Sequence, residues 1–152
     1  MSRLLRVMVT GGRDYDTMAA AGHVHRVLDR LHAEEGIEEV IHGACGWNAD
    51  DETTWTRLDM IGADAMADDW AEQRMIRVVR KPAHWTTQRR AAGPRRNAAM
   101  VAMGPDVVVA FPGGPGTAGA MKLAREAGLR VIDETNYEPA DMALPRQSDP
   151  ER

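Results

Sequence analysis

The segment Pro105-Asp-Val-Val-Val-Ala-Phe-Pro-Gly-Gly-Pro-Gly-Thr117 constrains the fold of this chain more than any other. Its β-branched run predicts a fully buried strand over 107–111, stopped by a turn of prolines and glycines, with a helix over 117–127. Glycines at such a junction let backbone N–H groups approach a ligand closely. The positive end of a helix dipole beside them makes the turn a natural seat for a phosphate. A tight strand-to-helix turn with no ligand is the plainer reading of the same residues.

The rest of the chain repeats the strand–helix order. Strands are expected over 4–10, 39–42, 76–79 and 129–132. Helices are expected over 18–33, closed by Gly36, over 63–73 with Ala67, Trp70 and Ala71 inward, and over a segment ending at Met103 with Pro94 in its first turn. This alternation predicts an α/β fold: a Rossmann-like parallel sheet with helices on both faces. Ligands in such sheets sit beyond the carboxyl ends of the strands. Three of the expected strands end in glycine turns, at Gly11-Gly12, at Gly43 and at Pro112-Gly113-Gly114, and on one edge these turns would form one pocket.

At 152 residues the chain suits one domain. That domain is expected over 1–138, followed by a Pro-rich, polar and disordered tail over 139–152. The longest apolar runs fall far short of the ~20 residues of a membrane span, so no membrane partner is expected, and no signal peptide is evident. Cys45 is the only cysteine. It excludes an intramolecular disulfide and cysteine-based structural zinc, and it fits a reducing cytoplasm; a buried inert thiol is the expectation for it. No compact metal-ligand spacing is present, so neither a metal nor another cofactor is expected, although Mg²⁺ carried by a phosphate ligand is compatible with the sequence.

The net charge of −4 conceals an asymmetry. Acids dominate between Asp14 and Glu72, whereas residues 73–105 contain none and gather Arg74, Arg77, Arg80, Lys81, Arg89, Arg90, Arg95 and Arg96. Such a block reads as an anion site, a nucleic-acid patch, or a face answering the acidic half. Residues 44–61 fit no periodicity and read as an inserted loop carrying Trp47 and Trp55. A lid or an arm docking on another subunit suits it, with Trp47 stacking on a base as the sharper alternative.

Five pieces occur in one order: Val7-Met-Val-Thr-Gly-Gly-Arg-Asp-Tyr15, Ile41-His-Gly43, Gly62-Ala-Asp64, Ala92-Gly-Pro-Arg-Arg-Asn97 and Phe111-Pro-Gly-Gly-Pro-Gly-Thr117. Together, over about residues 4–133, they resemble the YspA-like (cpYpsA-related) family of the SLOG superfamily, which includes Lonely-Guy phosphoribohydrolases and DprA. The resemblance implies a Rossmann-like sheet, a nucleotide or nucleotide-derived ligand, and a homodimer or larger assembly. The Pro-Gly-Gly-x-Gly-Thr-x-x-Glu signature of the Lonely-Guy enzymes matches through Thr117, but Ala120 stands where their catalytic Glu is expected. Their Arg-Lys pair falls on Arg96 and Asn97, so one of the two charges is retained.

Phosphate binding is assigned to Pro112, Gly113, Gly114, Gly116 and Thr117, with Gly11, Gly12, Arg13 and Gly43 as further walls. Arg13 is a fork for phosphate or base, or else an ion-pair partner of Asp14 or Asp16. Arg96 is the cation for phosphate or ribose, and Asn97 a hydrogen-bonding group for sugar or base. Asp64 is the candidate acid for N-glycosidic cleavage, a ribose ligand, or a charge complementing a helix dipole. His42 is a base or a hydrogen-bonded structural histidine.

Two functional readings follow. One is binding of a nucleotide with hydrolysis of the N-glycosidic bond of a nucleoside 5′-monophosphate, through Asp64 and Arg96. The other is a non-catalytic nucleotide sensor or sequestering protein, which Ala120 favours. Nucleic-acid binding is disfavoured by the overall acidity.

Overall fold

The computed structural model describes residues 3–137; the tail expected over 139–152 lies outside them. Ten principal elements alternate along the chain: β1 (Leu5–Thr10), α1 (Met18–Glu35), β2 (Ile37–His42), α2 (Gly62–Gln73), β3 (Arg77–Arg80), α3 (Trp85–Gln88), α4 (Ala92–Ala102), β4 (Val107–Ala110), α5 (Pro115–Glu126) and β5 (Arg130–Asp133). The five strands form one sheet in the order β3-β2-β1-β4-β5, and every pairing is parallel. The α/β, Rossmann-like expectation holds.

Strand periodicity sorts the core into two layers. Val7 and Val9 of β1 and Val107 and Val109 of β4 meet Val24, Leu28 and Leu31 of α1 and Ala67, Trp70 and Ala71 of α2. Met8, Ile41 and Val108 point the other way, to Met100 of α4 and Ala120 and Ala124 of α5. Both faces are therefore covered, which is why the strands read as continuous apolar runs rather than alternating ones. Trp70 is fully buried, and its indole N–H donates to Asp29 Oδ1 at 2.8 Å. Arg74 stacks on the same ring and donates to the same oxygen.

Local chemistry fixes the helix ends. The Thr17 hydroxyl accepts from Ala20 N–H at the start of α1, and Gly36, at φ +81°, ends that helix. Helix α5 starts at Pro115, two residues earlier than expected. Proline has no N–H to lose at the first helical position, and its fixed φ suits it.

Candidate functional site

The direction of strand succession reverses between β1 and β4, and the loops after these two strands part to opposite faces. A crevice opens at such a switch point beyond the carboxyl ends of the strands. Here it is a cleft of about 630 Å³, lined by the loop after β1 (Gly11 to Tyr15), Gly43 and Cys45 after β2, Asp64 of α2, Arg96 and Asn97 of α4, and the turn Pro112 to Thr117. The twelve residues assigned from sequence to phosphate, sugar, base or the acid all border this one cleft, and His42, the candidate base, does not.

The two glycine loops are held together by backbone. Gly12 N–H donates to Pro112 C=O at 2.8 Å, and Ala63 N–H, at the start of α2, donates to Gly12 C=O at 3.1 Å. A side chain on Gly11 would lie 2.5 Å from Ala63 Cβ, and one on Gly12 would lie 3.0 Å from Pro112 O. These two glycines are therefore required by close approach of chain segments, with or without a ligand. Gly114 caps α5 without a side-chain hydrogen bond. Among the described residues, the N–H groups of Gly113, Gly114, Gly116 and Thr117 have no hydrogen-bond partner. Unfilled donors at a helix N-terminus facing a cleft are the features that bind an anion.

Arg13 is exposed and makes no ion pair with Asp14 or Asp16, so among the described residues its guanidinium is uncommitted. Arg96 is more constrained. Its Nη1 donates to Gly43 C=O at 2.6 Å and its Nε to Asn97 Oδ1 at 2.9 Å. Asn97 in turn donates to Gly116 C=O at 3.2 Å and is buried. The amide expected to read sugar or base also ties α4 to the first turn of α5 and aims Arg96. Asp64 is 6% exposed, and its Oδ2 accepts Cys45 N–H at 3.1 Å. Cys45 is half-buried rather than buried. Burial, with the Asp64 charge adding to it, pushes its thiol up against the opposing pull of Arg13 and Arg96, which disfavours a thiolate nucleophile.

His42 is structural. Ala44 N–H donates to its Nδ1 at 2.9 Å, so its Nε2 carries the proton donated to Asp68 Oδ2 at 2.6 Å. Asp68 has 0% exposure and also receives Arg80 (2.7 and 3.0 Å) and Arg57. Burial alone would raise this carboxyl, but the hydrogen bonds from His42 and Arg80 outweigh it and hold the group well below the usual carboxylate range. Sequence reading passed over Asp68, because nothing in its spacing marks a carboxylate that receives partners from three separate segments.

The inserted loop is pinned to its own chain. Arg57 pairs with Asp68 and Asp69, Ala49 N–H donates to Ala83 C=O, and Asp50 accepts from His84 and Thr87. The alternative in which Trp47 stacks on a base in the cleft is corrected. Trp47 is 9% exposed, lies parallel to Trp55 at 5.5 Å, donates to Thr56 C=O and takes no part in the cleft. An apolar surface of that size is covered by its own loop once the loop folds back.

The basic block also divides. Arg74, Arg77 and Arg80 answer Asp29, Glu39 and Asp68, Arg89, Arg90 and Arg95 lie exposed, and Arg96 turns into the cleft. Trp85 and Tyr15 are among the lining residues to which the sequence assigned no role. Trp85 enters the cleft from the short helix α3. Tyr15 is buried, its hydroxyl 2.6 Å from His23 Nδ1, with His23 Nε2 2.8 Å from Glu134 Oε1. Among the described residues no cluster of three His, Cys, Asp or Glu side chains could hold a metal ion, and no helix is long and apolar enough to cross a membrane.

Fold and cleft together define a Rossmann-like α/β domain with its crevice at the switch point of the sheet. The Gene 61 protein of Mycobacterium phage D29 is 32% identical to this chain over 135 residues, 84% of the chain and 94% of that protein. The chain belongs to the family of that phage protein. No family model matches it. Among solved structures, TM1055 has a TM-score of 0.59 at 16% identity, covering 96% of this chain and 88% of its own, a likeness of fold. TcdA (CsdL), at a TM-score of 0.45 and 15% identity, aligns with 85% of this chain over 49% of its own length.

Proposed function

We propose that this protein binds a nucleotide or nucleotide-derived small molecule, with a phosphate at the N-terminus of α5, as a SLOG domain of the YspA-like type. The observation that carries the reading is the set of unpartnered N–H groups at Gly113, Gly114, Gly116 and Thr117, facing a cleft that also holds Arg13 and Arg96. Backbone donors at the positive end of a helix, with two guanidinium groups in the same cleft, suit a phosphate dianion. A volume of about 630 Å³ falls within the size range of small-molecule sites. Magnesium, if used, arrives with the phosphate, and an assembly of two or more copies remains part of the proposal.

Binding without turnover is the reading favoured here. Ala120, at the position of the expected catalytic Glu, is fully buried among Met8, Met100 and Val108 beneath the cleft. The second reading, hydrolysis of an N-glycosidic bond, rests on Asp64, whose carboxylate borders the cleft. Titration calorimetry with nucleoside 5′-monophosphates tests the first reading. Gly114→Asp places a carboxylate where a side chain meets nothing within 4 Å, so the fold should persist while phosphate binding is lost. Unchanged affinity would refute the phosphate seat. Release of free base from any of these nucleotides, stopped by Asp64→Asn, would establish the second reading.

A further inference from the structure

Trp85 lies in the same cleft as the phosphate seat, on the first residue of α3, and 45% of it is exposed. The chain has four tryptophans, and two of the others are satisfied without a ligand. Trp70 is sealed in the core, and Trp47 is buried against Trp55 in the inserted loop. Trp55 is exposed as well, but it is stacked on Trp47, donates to Asn48 C=O, and lies outside the cleft. Trp85 thus brings a large open aromatic surface to the cavity that also holds the anion seat.

The segment bearing Trp85 is held in place by many short polar contacts. Trp85 N–H donates to Asn48 Oδ1 at 3.1 Å, and Asn48 Nδ2 donates to Thr86 Oγ1 at 2.9 Å. Asp50 accepts from Thr87 N–H at 2.9 Å and pairs with His84 Nδ1 at 2.9 Å. The inserted loop therefore serves as the anchor of α3. The tip of the indole lies over Gly93 of α4, where an added Cβ would sit 3.4 Å from Cη2. Gly93 is one helical turn before Arg96, so the ring and the cation share one wall. A rigid, open indole beside a cation, in a cleft with an anion seat, is the complement of a flat aromatic ring carried on a sugar phosphate.

We infer that Trp85 is the stacking platform for the nucleobase, and that the inserted loop 44–61 exists in part to hold it there. This rests on the nucleotide reading above and adds a seat for the base to the seat for the phosphate. A stacked base tolerates any of the four common rings, because each has a π-face. The platform therefore selects nucleotides over sugar phosphates rather than one base over another.

The test uses the whole chain, with the four common ribonucleoside 5′-monophosphates and ribose 5-phosphate as probes in calorimetry and circular dichroism to monitor the fold. Trp85→Ala should weaken the nucleoside monophosphates by about ten- to a hundredfold, a typical loss for one base–aromatic stack. Trp85→Phe should retain most of the affinity, and neither variant should change ribose 5-phosphate. An equal loss for nucleotide and sugar phosphate, or no loss for either, overturns the platform while leaving the phosphate seat intact. If the unaltered protein binds neither class of probe, the nucleotide reading fails and the platform with it.

Discussion

Gly113 and Gly116 stand three residues apart in the phosphate turn, and the same methyl group should have opposite effects at the two positions. At Gly113 an added Cβ meets the Thr117 hydroxyl, the Gly12 nitrogen at 2.8 Å and Thr117 Cβ at 3.0 Å. Two of these atoms are not at the ends of flexible side chains, so relief requires the loops after β1 and β4 to separate. That movement strains the 2.8 Å bond between Gly12 N–H and Pro112 C=O. Overpacking of this kind costs about 1–3 kcal/mol. For a chain of this size each kcal/mol corresponds to about 2–4 °C in Tm. Gly113→Ala should therefore melt roughly 2–12 °C lower than the unaltered protein, on the same scale. At Gly116, in the first turn of α5, an added Cβ meets nothing within 4 Å. Alanine there gains up to about 1 kcal/mol of helix propensity, so Gly116→Ala should melt at the same temperature or slightly higher. Thermal denaturation followed by circular dichroism reads both variants in one experiment. Equal destabilisation by the two, or a Gly113→Ala variant as stable as its parent, would refute the packing of the two loops described above.

Two further outcomes follow from the surroundings of the cleft. Asp68→Asn removes the buried charge that receives His42, Arg57 and Arg80, and at neutral pH it should cost about 3–5 kcal/mol in urea denaturation. Because the native carboxyl is held below its unfolded value, its contribution is complete above about pH 4 and fades as the pH falls through the lower native value. The stability gap between parent and variant should therefore narrow in acid, and a gap that stays constant or widens contradicts the assignment. Asn48→Ala removes the acceptor for Trp85 N–H and the donor to Thr86. It should raise the amide hydrogen-exchange rate across α3 while leaving β1 and β4 protected; unchanged exchange in α3 would show that the inserted loop does not anchor it.

The sheet was legible because all five strands carry apolar or β-branched runs and a helix follows each of the first four. Even so, β2 starts two residues before the expected strand, at Ile37, and α4 starts at Ala92. The residues just outside an apolar run pair in the ladder or the helix without changing the pattern. The cleft was legible through its glycines, since close approach of backbone leaves a compositional mark. Side-chain roles were harder to read. Asn97 looked like a ligand-reading amide, and its role as an internal tie, which depends on where Gly116 C=O points, left no mark in the sequence. Trp47 and Trp85 are alike in sequence, each followed by a polar residue in a stretch with no clean periodicity. Only the fold-back of the loop buries the first ring and leaves the second open. The Asp68 cluster joins residues 42, 57, 68 and 80, brought together by parallel pairing of β2 with β3 and by the docking of α2, and no local spacing encodes it.

The account stands most directly on the four backbone donors at the start of α5. Amide ¹H–¹⁵N spectra of the labelled chain, titrated with a nucleoside 5′-monophosphate, observe those groups one by one. Saturable shifts centred on Gly113, Gly114, Gly116 and Thr117, accompanied by Gly12 and Arg13, are the expected result. Shifts elsewhere with these amides unmoved, or no shifts at millimolar nucleotide, would contradict the claim that this cleft is a phosphate site.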